Sequence, residues 1–132
     1  MTFDHGWQRC RVCHVPGQDV RVEDEWHLRA NPGYWGSSSP RVLVLGFSKG
    51  ANQIAAAESG SFDGVAFAGL RDRLQQVLET LEIDLEGQTI DKALSAQGRV
   101  LGAASLIRCG LSVLKDGKLV TSGTIIELLP VP

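Results

Sequence analysis

The sequence predicts an α/β fold in three layers, α/β/α, around a central and mainly parallel sheet. Three observations carry that expectation. Two short, predominantly apolar runs, Val42–Leu45 and Val100–Ile107, read as strands buried on both faces, as in parallel sheets. Between them Leu70, Leu74, Val77, Leu78 and Leu81 recur at helical spacing, with charged and amide side chains between them, which makes an amphipathic helix. Strand, helix and strand in that order imply a right-handed crossover and parallel pairing.

The chain has 132 residues, enough for one domain (1–132) with a real core and too few for two. Hydrophobic content of 43% and charged content of 21% place it among ordinary globular chains. A net charge of −2 gives no overall basic field, although a small basic face can sit on an acidic protein. No apolar run reaches membrane-spanning length and no basic-then-apolar leader opens the chain, so a cytoplasmic location is expected and no membrane partner.

Taken in order, residues 1–40 are polar and irregular, with two cysteines, the histidines and the tryptophans Trp7, Trp26 and Trp35. A segment so poor in aliphatic residues needs a metal, or the body of the domain, to hold it down. Asn31-Pro32-Gly33 signals a turn and Gly36–Pro40 a loop. The first buried strand stops at Gly46, where the polar loop Phe47–Gln53 follows, and the crevice beyond strand ends is where open α/β sheets bind ligands. The run Gly64–Gly69 then sets Phe67 among small residues ahead of the amphipathic helix. A second helix is expected from about Ile90 to Ser95, and Asp116-Gly117 marks a hairpin turn between Leu111–Leu114 and Leu119–Thr121. A short helix start is expected from Thr124 to Leu129. Two central strands make an incomplete sheet, so the chain is expected to be part of a larger domain.

Cys10-Arg11-Val12-Cys13 is the strongest local chemical signal, because a short turn brings both sulfurs to one side. An odd number of cysteines argues against a disulfide framework. Four readings are open. With His14 the run has the spacing for covalent haem attachment, but Met1 is the sole methionine and a second axial ligand is wanting. Zinc could be held by Cys10, Cys13, Cys109 and one of His5, His14 and His27. A 4Fe–4S cluster on Cys10, Cys13, Cys109 and one further ligand is preferred. Unligated cysteines are the fourth reading.

The order of these features resembles the iron–sulfur branch of the uracil-DNA glycosylase superfamily over about residues 8–110. The CxxC pair, the strand running into Val42–Gly50 (VLVLGFSKG), the Gly64–Leu70 run before a helix, and Ala103–Cys109 (AASLIRC) stand where that branch carries its motifs. The resemblance implies a DNA partner containing a deaminated base, which is flipped from the duplex and excised by hydrolysis of its N-glycosidic bond. It implies that Phe67 stacks the base and that Cys10, Cys13 and Cys109 hold the cluster. Gly46, Phe47 and Ser105 would line the substrate site. Lys49 or Asn52, with loop N–H groups, would stabilise negative charge on the leaving base.

The chain departs from the pattern in three places. Phe47 stands where the branch carries a polar or acidic group. Ser105, four residues before Cys109, replaces an Asn that reads the uracil edge, and a hydroxyl cannot make an amide's paired contacts. No cysteine or histidine follows Cys109. A non-catalytic, metal-stapled binding relative is therefore the second expectation, with Arg71, Arg73 and Arg108 as phosphate contacts in either case. A nucleotide-binding or hydrolytic α/β protein is the third, although neither GxxxxGK[ST] nor GxGxxG occurs in the loop after Gly46.

Overall fold

The computed structural model describes residues 3–121. Strands β1 (Gly6–Trp7), β4 (Gly33–Gly36), β6 (Leu101–Ser105) and β5 (Val42–Gly46) form one sheet in the order β1-β4-β6-β5. Strands β2 (Val20–Glu23), β3 (Trp26–Arg29), β7 (Gly110–Lys115) and β8 (Lys118–Val120) form a second in the order β2-β3-β7-β8. Helices α1 (Ala51–Ser59), α2 (Arg71–Thr80) and the single turn α3 (Ile90–Ala93) lie between β5 and β6 in the chain, with a 3-10 turn at Phe62–Gly64.

The fold is mixed α/β, and the expected crossover is present: β5 and β6 pair in parallel, with Val42 opposite Leu101 and Gly46 opposite Ser105. A mainly parallel central sheet is not what the rest of the chain builds. Every other pairing among the described residues is antiparallel. The reason lies in the N-terminal segment, expected to be irregular. Its Gly-Tyr-Trp-Gly strand β4 takes the other edge of β6, with Trp35 opposite Ala103, and so occupies the place a further parallel strand would need. The hairpins β2–β3 and β7–β8 are joined by connections too short for anything but antiparallel pairing. In the second of these, Asp116 and Gly117 both have positive φ (50° and 75°), the two-residue turn that the Asp-Gly pair predicted.

β5 is not buried on both faces. Among the described residues it is an edge strand, and Leu43 and Leu45 are exposed while Val42 and Val44 pack against the core. Helical cover accounts for this. Ala56 and Ala57 of α1, Leu74 and Leu78 of α2, and Ile90 and Ala93 of α3 share one cluster with Trp35, Val42, Val44, Leu101 and Ala103. Only one face of the strand pair receives them. The apolar stripe of α2 is likewise half used: Leu74 and Leu78 are buried, whereas Leu70, Val77 and Leu81 are exposed. The second helix is shorter than expected, ending at Ala93, with Thr89 Oγ1 accepting from the Lys92 N–H at its start.

The tryptophan-rich segment is held down by the domain itself. Trp35 stacks on Phe62 at 4.6 Å and 5°, and its Nε1–H donates to the Phe62 carbonyl at 2.7 Å. Trp7 closes the cluster edge-on against both rings. His5 Nδ1 accepts from the Gly36 N–H at 3.0 Å, which leaves Nε2–H to donate to Asp63 at 2.7 Å. Gly102 on β6 is obligatory for this packing, since a Cβ there would collide with the Tyr34 hydroxyl and with Pro40. The expected helix start over 124–129 lies outside the described residues.

Candidate functional site

In-register parallel pairing brings the carboxyl ends of β5 and β6 together, so Gly46 and Ser105 finish side by side. The chain leaving β6 is tied to the loop leaving β5, the Leu106 N–H donating to Gly46 O at 2.8 Å and the Ile107 N–H to Phe47 O at 2.9 Å. Beyond those ends lies a pocket of about 210 Å³ lined by Gly46, Ser48, Lys49, Gly50 and Gln53 from the first loop and α1. Ala66, Phe67 and Leu70 form a second side, and Trp35, Ala103, Ala104 and Ser105 the sheet side. Four residues named from sequence, Gly46, Lys49, Phe67 and Ser105, therefore meet in one cavity. Phe47 and Asn52 do not. The Phe47 carbonyl is spent on Ile107, and Asn52 is exposed, its amide close to Gly69.

Phe67 holds a left-handed backbone, with φ of +55°, which is costly for a bulky residue and is found where surrounding structure enforces it. The Ala68 N–H bonded to Val65 O and the Leu70 N–H bonded to Phe67 O provide the enforcement. Together these tight turns present the ring to the pocket.

Lys49 is 1% exposed, and its ammonium donates to the Arg108 carbonyl at 2.6 Å. Its Nζ also lies 5.9 Å from the centre of the Trp35 ring. Burial, aided by the Arg108 charge, lowers its pKa to about 8, against the opposing influence of the Cys109 thiol. Ser48, one residue earlier, is buried and its Oγ has no hydrogen-bond partner. Among the described residues no Asp, Glu or His lines this pocket. Trp35, Ser48 and Gln53 escaped sequence reasoning. Loop residues carry no periodicity to mark burial, and a Trp between glycines could face either way.

Arg108 and Cys109 face a second cavity, about 510 Å³, lined also by Phe3, Leu28, Pro32, Leu106, Ile107, Cys10 and Cys13. The three cysteines, about a hundred positions apart at the extremes, thus share one space. Cys10 and Cys13 are exposed and Cys109 partly buried, none of them in a disulfide. Burial raises the Cys109 pKa, with a hydrogen bond from the Asn31 backbone and the Lys49 charge acting the other way, and the other two sulfurs near enough to add to the rise.

Whether these residues fit a metal group can be judged from the polar atoms around them. Two buried N–H donors without partners belong to this neighbourhood, Arg108 Nε and Asn31 Nδ2, while Asn31 Oδ1 receives the Gly110 N–H at 2.6 Å. Donors of this kind serve the sulfurs of an iron–sulfur group. His14 Nδ1, also unpartnered, is the acceptor nitrogen of a ring whose Nε2–H donates to the Leu28 carbonyl. Among the described residues no three His, Cys, Asp or Glu side chains are arranged to hold a metal ion, which bears on zinc and on a cluster alike. His5 is unsuited as a zinc ligand, both its ring nitrogens being engaged. Covalent haem has no supporting element here: His14 Nε2 is bonded to the Leu28 carbonyl at 3.0 Å.

The candidate phosphate contacts differ from one another. Arg71 is committed internally, to the Ala66 and Asp63 carbonyls and to Asp91 at 2.6 Å. Arg73 is exposed beside Val77 and Leu81. Arg108 lies over the Phe3 ring at 5.5 Å and reaches Gly33 O at 3.4 Å.

Among the described residues no helix is long and apolar enough to cross a membrane. No family model, curated protein or solved structure matches this chain.

Proposed function

We propose that the chain is a cytoplasmic, glycosylase-like DNA-binding protein that draws a deaminated base, uracil or similar, out of the duplex and hydrolyses its N-glycosidic bond. One observation carries this reading: Gly46, Lys49, Phe67 and Ser105, drawn from three separate stretches of chain, line a single cavity of nucleobase size. In that reading the base stacks on Phe67, with Trp35 on the sheet side. Ser105 offers one hydrogen bond to its edge, and Lys49 balances the negative charge left on the base when water takes its place at the sugar. Cys10, Cys13 and Cys109 would hold a 4Fe–4S cluster, which would staple the N-terminal segment to the end of β6; zinc on the same thiols is the alternative. Among the described residues β5 is an edge strand with Leu43 and Leu45 exposed, and further strands and a second helical layer of a three-layer α/β/α domain would add there.

A second reading, a non-catalytic binding relative of the same fold, is favoured by one specific feature. Among the described residues the pocket lining holds no carboxylate or imidazole to activate water. Duplexes carrying a single uracil or hypoxanthine separate the two. The enzymatic reading expects abasic sites that Phe67→Ala abolishes. Intact DNA, bound with quenching of Trp35 fluorescence and released by the same substitution, would leave the binding module standing.

A further inference from the structure

Three groups on the floor of the pocket lack the partners that burial ordinarily demands. Lys49 is a cation at 1% exposure, and none of the ion pairs among the described residues includes it. Its bond to the Arg108 carbonyl uses one of three ammonium hydrogens. Ser48 is 8% exposed with an unpartnered Oγ. Helix α1, nine residues long, begins at Gly50, which has no side chain to cap it. Gln53 Oε1 accepts the Gly50 N–H at 3.1 Å, but no acidic residue stands in the first turn and its other N–H groups have no side-chain cap. All three converge on the same space, since Ser48, Lys49, Gly50 and Gln53 line the pocket.

Each deficit has the same sign. A buried ammonium without a counter-charge is expensive. An unpaired buried hydroxyl forgoes a bond. The first-turn N–H groups that Gln53 does not reach present partial positive charge to whatever lies ahead of the helix. One small anion would satisfy all of them together. A neutral ring satisfies the hydroxyl and leaves the ammonium uncompensated.

We propose that the pocket floor is a binding site for a phosphate-type oxyanion, held by Lys49 Nζ, Ser48 Oγ and the first-turn N–H groups of α1. The lowered pKa of Lys49 is the cost that such a ligand removes. Two sources share this chemistry, orthophosphate and the phosphate of a nucleotide whose ring would lie toward Phe67. The site does not depend on base excision, so failure of either idea leaves the other measurable.

Titration of the purified chain with inorganic phosphate, at ionic strength held constant with chloride, tests it by calorimetry and thermal melting. Saturable heat and a rising melting temperature are expected, with sulfate competing and chloride inert. Ser48→Ala should weaken phosphate by about tenfold or more, the worth of a hydrogen bond to a charged group. Lys49→Met should remove the response while melting higher than wild type without ligand, which separates lost binding from lost folding. A nucleoside monophosphate binding at least tenfold tighter than phosphate would assign the nucleotide source, and equal affinity the free ion. Absence of saturable binding, or phosphate affinity unchanged in Lys49→Met, would overturn the proposal.

Discussion

The two cavities, linked by the hydrogen bond from Lys49 to the Arg108 carbonyl, are built on opposite plans. The pocket is framed by regular structure: the ends of two paired strands, the start of α1 and the tight turns before α2. Its polar groups are buried ahead of any ligand. The thiol cavity is framed by connecting segments and by an N-terminal stretch held through aromatic packing, and two of its three sulfurs stand in solvent. Rigid elements can keep an unsatisfied cation in place because the surrounding core bears the cost. Exposed loops store no such cost, and they acquire definition when a group binds across them. Lys49, donating to the carbonyl of the residue before Cys109, is the joint between the two plans.

The contrast can be broken at either end. The largest effect belongs to the pocket wall. Trp35→Ala removes a stacked, hydrogen-bonded core ring and should cost about 3–5 kcal/mol in chemical denaturation. A loss under about 1 kcal/mol would mean the wall is not part of the core.

Lys49 comes next. Burial lowers its pKa from 10.5 to about 8, a destabilisation of about 3 kcal/mol at 1.36 kcal/mol per tenfold. Below pH 8 both states are protonated and the folded chain bears the whole cost. Between about pH 8 and 10.5 the folded chain has lost a proton that the unfolded chain keeps, so stability rises with pH across that window. Lys49→Met should flatten this slope. A slope unchanged by the substitution would show that the ammonium is solvated.

The thiol cavity should answer to loading. Anaerobic iron and sulfide at about a hundredfold excess over the dissociation constant should add about 2.7 kcal/mol, with brown charge-transfer absorbance. Cys109→Ser should abolish both. Stabilisation by zinc alone, with no colour, would transfer the site to a single ion.

The smallest effect sharpens the comparison most. Without metal, Cys10→Ala and Cys13→Ala remove exposed side chains and should change stability by no more than about 0.5 kcal/mol. A larger loss would mean that this end too is organised in advance.

Local chemistry was legible in the chain itself. The Asp116-Gly117 turn follows from backbone sterics, and the core of α2 from the spacing of Leu74 and Leu78. The apolar runs at β5 and β6 marked the parallel pair, and the stretch from Gly46 to Gln53 marked one side of the pocket. Those features depend on neighbours a few residues apart. Which side of a strand is covered does not. Leu43 and Leu45 read as core because apolarity records what a residue tolerates, whereas their exposure depends on whether a second layer arrives.

The same reasoning divides the site. Residue type proposed Lys49, Phe67 and the three cysteines, because ammonium, ring and thiol each have a restricted chemistry. Only the fold decided that Asn52 stays out of the pocket lining, that Ser48 is buried without a partner, and that Trp35 joins the wall. Those outcomes are set by β4 claiming the edge of β6 and by the direction in which α1 leaves its loop. Both are long-range choices, fixed by packing between segments whose sequences carry no record of one another.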